Sequence, residues 1–142
     1  MGVWGMGLRQ SDEFCEVYER FMEAYDEGKA VPEIEKAILD SYRAEFDDAD
    51  GVMHNVYFAL AKAEWMCCAP SERILRRVQE IIESGADLEF YREMEASPSD
   101  LSLRAQKLQQ FWQSLQAPRK SARKRRSAPS MREKSFPELA PG

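Results

Sequence analysis

Between Ser11 and Gly28 the residues Phe14, Val17, Tyr18, Phe21, Met22 and Tyr25 recur at spacings of three and four. That period suits one face of an α-helix and no strand, and it commits this stretch to burying a stripe against other helices. Ser11 supplies an N-cap oxygen, Asp12 and Glu13 sit where the helix dipole favours carboxylates, and Gly28 marks the stop.

The same logic extends along the chain. Pro32 fits the first turn of a second helix, whose buried stripe is Ile34, Ala37, Ile38 and Tyr42. A third segment, from about Val52 to Cys68, carries Val56, Tyr57, Leu60, Ala61 and Ala63 to Met66, so apolar groups reach most of its circumference and it should lie at the centre. Pro70-Ser71 caps a fourth helix with Ile74, Leu75, Val78, Ile81 and Ile82 opposite Arg73, Arg76, Arg77 and Glu80, and Gly85 closes it. A short helix fits Asp87 to Met94. A final helix opens at Ser97-Pro98 and continues through Leu101, Ala105, Leu108, Phe111, Trp112 and Leu115.

No run alternates apolar with polar residues, so no sheet is predicted. The expected fold is all-α, an irregular bundle of five or six helices; the helix pairs share no fixed signature that would make them a tetratricopeptide array. With 142 residues, 44% of them hydrophobic, the chain can bury one core. Trp65 and Trp112, at helical spacing, are expected in it, and Trp4 is expected to plug a glycine-rich, turning entrance.

Charge divides the chain in two. Residues 1–116 hold 12 Lys/Arg against 23 Asp/Glu, a net charge of −11, whereas residues 117–142 hold 8 against 2, a net charge of +6. The first part reads as an acidic helical domain and the second as a basic, Pro/Ser-rich tail, expected to be disordered because nothing in it is periodic enough to offset the entropy of ordering. No apolar run approaches the length of a membrane span, no secretory signal is evident, and Met6 stands where myristoylation of Gly2 would need Ser or Thr. A cytoplasmic protein is expected, its thiols Cys15, Cys67 and Cys68 reduced, since three cysteines with two adjacent make a poor disulfide framework.

The chemistry-bearing candidates each fall short of a catalytic or metal motif. His54, the sole histidine, stands where the acidic loop enters the third helix and reads as a capping or exposed residue. Adjacent Cys67 and Cys68 diverge by about 100° on a helix and read better as small apolar groups than as zinc ligands with His54 and Cys15. Asp48-Ala49-Asp50-Gly51 resembles the start of a calcium loop, but Phe46 and Tyr57 occupy the positions that need Asp and Glu. No cofactor is expected. What remains is surface charge: the acidic loop residues Asp47, Asp48 and Asp50 for a protein partner, and Arg123, Lys124, Arg125 and Arg126 for the phosphate backbone of a nucleic acid.

The head Gly2-Val3-Trp4-Gly5-Met6-Gly7 with Ser11-Asp12, the central Tyr57 to Trp65 run, Gly85-Ala86-Asp87-Leu88-Glu89 and the Leu108 to Leu115 segment resemble an uncharacterised family of small helical bacterial proteins with an N-terminal Trp-Gly head. The resemblance covers about residues 2–126, with Glu64-Trp65 standing where the family usually has Gln-Trp. Some members resemble toxin-immunity or mobile-element proteins, and no catalytic motif carries over. The resemblance implies at most the binding and blocking of another protein; the net charge of −11 on residues 1–116 and the lack of catalytic chemistry lead to the expectation of a non-enzymatic protein-binding module of immunity or regulatory type, and the basic tail to the alternative, a nucleic-acid-associated factor.

Overall fold

The computed structural model describes residues 11–47 and 50–125. Among these residues there are six helices and no strand: α1 (Asp12–Asp26), α2 (Val31–Arg43), α3 (Gly51–Met66), α4 (Glu72–Ser84), α5 (Ala86–Glu93) and α6 (Pro98–Gln116). The chain is an all-α bundle. The Trp4 head, Asp48, Arg126 and the rest of the tail lie outside the described residues.

The caps account for the boundaries. The Ser11, Ser71 and Ser97 hydroxyls accept the backbone N–H groups of Phe14, Ile74 and Asp100, each satisfying a donor that the first helical turn leaves without a partner. Pro32 lies in the first turn of α2, where its missing N–H costs no hydrogen bond. Between α4 and α5 a single residue, Gly85, ends one helix and begins the next, and its φ of 77° is one that a side chain would disfavour.

Helix α3 packs against each of the other five helices. Val56, Phe58, Ala59, Leu60 and Ala63 are fully buried there, whereas α1 and α4 each bury one stripe, Phe14, Val17 and Phe21 on α1 and Ile74, Val78 and Ile81 on α4. Burying one such side chain contributes about 1.5–3 kcal/mol, which is why the stripes fix which face of each helix turns inward. Gly51, at the start of α3, lets the Phe90 ring of α5 lie directly on the helix backbone, in space that a Cβ would occupy.

Some expectations need correction. Trp65 and Trp112 are only partly buried, packed at the margin of the core. Cys67, the C-cap of α3, is buried, but Cys68 has a φ of 53° and is exposed, because the chain turns away after the cap. His54 is neither a cap nor exposed: Asp50 caps α3, its carboxylate accepting the Val52 N–H at 2.9 Å, while His54 lies inside the bundle.

Candidate functional site: polar interior, acidic face and strap

Two polar clusters lie within the bundle. In the first, α6 turns Arg104 inward among apolar neighbours, where its guanidinium is completely buried. Its Nε donates to Asp87 Oδ2 at 2.7 Å and its Nη2 to Asp87 Oδ1 at 3.2 Å and Asn55 Oδ1 at 3.3 Å, joining α6 to α5 and α3. The Tyr91 ring lies 4.9 Å from the guanidinium carbon. His54 Nδ1 approaches Asp87 Oδ1 at 3.6 Å. Burial alone would raise the Asp87 pKa; the His54 ring and the Arg104 guanidinium outweigh it and hold the carboxyl below its ordinary range.

In the second cluster α3 presents Glu64 to Glu35 of α2, both buried. Glu64 Oε1 accepts the Ser71 backbone N–H at 3.1 Å, and Glu35 Oε2 meets Arg73 Nη2 at 3.4 Å. Burial, reinforced by the neighbouring Glu35 carboxyl, pushes the Glu64 pKa up to about 10, so Glu64 keeps its proton at neutral pH. Both clusters tie helices together through buried carboxylates, the second reaching the surface at Arg73. Sequence reading missed them because Arg104, Glu64 and Asp87 each interrupt an apolar stripe at a position that could equally have been exposed.

The accessible chemistry is on the surface. The carboxylates of Asp12, Glu16, Glu19, Glu23 and Glu27 are exposed and recur every three or four residues, so they line the face of α1 opposite its buried stripe. Beside this face is a groove of about 410 Å³ to which Glu19, Glu23 and Asp26 contribute carboxylates. Tyr18, Met22 and Met66 provide its less polar walls, and Arg123 closes one side. Such a groove suits a long cationic side chain, whose alkyl stem can lie on apolar surface while its head meets oxygen. The spacing of the five carboxylates is legible in the sequence; the groove beside them depends on packing.

The expected site residues are placed as follows. Asp47 is exposed ahead of α3, Asp50 is occupied as the cap, and Asp48 is outside the described residues. The tail leaves α6 at Gln116 and returns along the ends of α3 and α1 as a strap. The Trp65 indole donates to the Ala117 carbonyl at 2.8 Å, the Arg123 N–H donates to the Met66 carbonyl at 2.8 Å, and the Tyr25 hydroxyl donates to the Arg123 carbonyl at 3.0 Å.

The side chains of the strap are engaged as well. Arg123 forms a forked pair with Asp26 at 2.8 and 3.3 Å, which raises its pKa. Arg125 donates to the Tyr25 carbonyl and, at 3.1 Å, to the Lys29 carbonyl, with its guanidinium 4.0 Å from the Tyr25 ring. The C-terminal end of α1, negative through its dipole, thus takes up two of the four cations in the basic run. Lys124 remains exposed, and Arg126 is outside the described residues.

Among the described residues no helix is long and apolar enough to cross a membrane. In comparisons with protein-family models, curated proteins and solved structures, nothing matches the chain.

Proposed function

We propose that the chain is a non-enzymatic protein-binding module, bacterial and cytoplasmic, of immunity or regulatory type, whose α1 face receives a basic segment of its partner. The observation that carries this reading is the groove rimmed by the carboxylates of Glu19 and Glu23 beside the exposed acidic row of α1. Complementary charge of this kind speeds encounter and fixes orientation. The buried positions of His54, Asp87, Glu35 and Glu64 support a non-enzymatic role, because a reacting group must reach its substrate. The resemblance to the Trp-Gly-headed bacterial family points the same way.

The alternative, contact with a nucleic acid through Arg123, Lys124, Arg125 and Arg126, is weakened because Arg123 and Arg125 are already bound to α1. The test is capture from an extract of the native host, with the full chain and the Glu19→Lys/Glu23→Lys chain as parallel baits. A stoichiometric basic partner held by the first and lost from the second is expected. Equal capture by both, or no partner at low salt, would defeat the reading.

A further inference from the structure

The basic strap is seated at the C-terminal end of the acidic α1 face. Helices α1 and α3 bring their C-termini together there. The Met66 carbonyl accepts the Arg123 N–H and Asp26 holds the Arg123 guanidinium, while the Tyr25 carbonyl and the Lys29 carbonyl just beyond α1 take Arg125. Two negative dipole ends thus converge on one short run of cations. The seat fits closely: only 13% of the Arg123 side chain is exposed, and the Arg125 guanidinium lies 4.0 Å from the ring of buried Tyr25. Lys124, between the two arginines, stays exposed, so the contacts alternate as the two sides of an extended chain do.

No buried side chain anchors this segment, since none of residues 117–125 is buried. Even half-buried Arg119 rests on the margin of the core, 5.3 Å from the partly buried Trp65 ring. Hydrogen bonds, an ion pair and guanidinium stacking hold the strap, and each can be exchanged for the same contact with another basic chain without disturbing the core. Arg123 also lines the groove to which Glu19 and Glu23 contribute, so a cationic segment entering that groove meets the charge of the strap at close quarters. The strap displays what the seat recognises: two arginines separated by one residue, one forked onto a carboxylate and one stacked on a tyrosine ring. A lysine ammonium reproduces neither contact in full. We infer that the joined ends of α1 and α3 are a docking site for an extended Arg-x-Arg segment of a protein partner, and that the strap is a built-in competitor that leaves as this segment enters. The inference rests on the reading of the α1 face as a partner surface and adds to it the chemistry of the partner and its regulation.

The experiment measures binding of a labelled synthetic peptide of residues 117–125 to the full chain, by fluorescence anisotropy at low salt. In the wild type the tethered strap competes at high effective concentration and the peptide should bind weakly. In Arg123→Gln/Arg125→Gln, which keeps the seat and loosens the strap, the peptide should bind about tenfold or more tighter. Neither position is buried or helical, so this chain should stay folded. Lys120→Gln/Lys124→Gln removes the same charge from two exposed positions and should bind the peptide about as weakly as the wild type. On the released chain, a peptide with lysine in place of both arginines should bind several-fold weaker, and adding Glu19→Lys/Glu23→Lys should weaken the arginine peptide. No binding to the released chain, equal gains in the two strap variants, or equal binding of the arginine and lysine peptides would overturn the inference. The peptide needs no partner, so this result and capture from the host extract can fail separately.

Discussion

The Asp87 carboxylate grips the Arg104 guanidinium with both oxygens, at 2.7 and 3.2 Å, where neither side chain reaches solvent. The pair spans α5 and α6, and through Asn55 it is fastened to α3. Removing one partner strands the other as a buried charge. Asp87→Ala should therefore lose about 3–5 kcal/mol in chemical denaturation, whereas Asp87→Leu/Arg104→Met should recover much of that loss. Equal destabilisation by the single and double variants would show that the pair is not the source. Because the folded-state Asp87 pKa is lowered, its contribution is present above the unfolded-state value of 3.8 and is lost as pH falls through the folded-state pKa.

Glu64 has the opposite sign. Its folded-state pKa is raised, so its contribution is complete below the unfolded-state value of 4.5 and is lost as pH rises toward the folded-state pKa. Stability should decline through the neutral range by at most about 1.4 kcal/mol per pH unit from this group. Glutamine at this position needs no proton to face Glu35. Glu64→Gln should match the wild type near pH 4 and exceed it by on the order of 1–3 kcal/mol at pH 8, measured by denaturant unfolding at each pH. A constant difference across that range would refute the assignment of the proton.

Gly51 and Phe90 set the contact between α3 and α5. A methyl group at position 51 would fall within the Phe90 ring, so Gly51→Ala should destabilise by about 1–3 kcal/mol. Adding Phe90→Leu should restore part of that loss in thermal unfolding. If Gly51→Ala stabilised the protein, helix propensity would outweigh the contact and the packing account would fail.

The strap predicts that the tail competes with its own domain. Releasing Arg123 by Asp26→Asn should raise the salt concentration at which the chain leaves heparin by more than the same charge change at Asp100, in the first turn of α6. Identical elution of the two variants would mean that Arg123 is not held in solution.

Thiol reactivity tests the exit from α3. Cys15 and Cys68 are exposed, whereas Cys67 is buried and burial raises its pKa. A thiol reagent should modify two cysteines quickly in the native chain and the third only on unfolding. Rapid modification of all three would place Cys67 at the surface.

The helices were legible because period and cap agree. The row from Phe14 to Tyr25 and the hydroxyl of Ser11 mark the same element, as do the row from Ile74 to Ile82 and Ser71. The polar interior was not legible, because Arg104 is separated by 17 residues from Asp87 and by 49 from Asn55, and only packing brings them together. His54 was misplaced because Asp50, four residues earlier, takes the capping role that its position suggested. The fate of the basic run likewise depends on where α1 and α3 end in space, since Asp26 lies 97 residues before Arg123.

The acidic α1 face is tested most directly by measuring the affinity of the captured partner at low and at high salt for three chains: the wild type, Glu19→Lys/Glu23→Lys, and Glu72→Lys/Glu83→Lys, which makes the same charge change on α4. The α1 variant should bind about tenfold or more weaker at low salt and converge on the wild type as salt rises, while the α4 variant stays close to the wild type. Equal affinity of all three chains, or equal loss in both variants, would contradict a binding surface on α1.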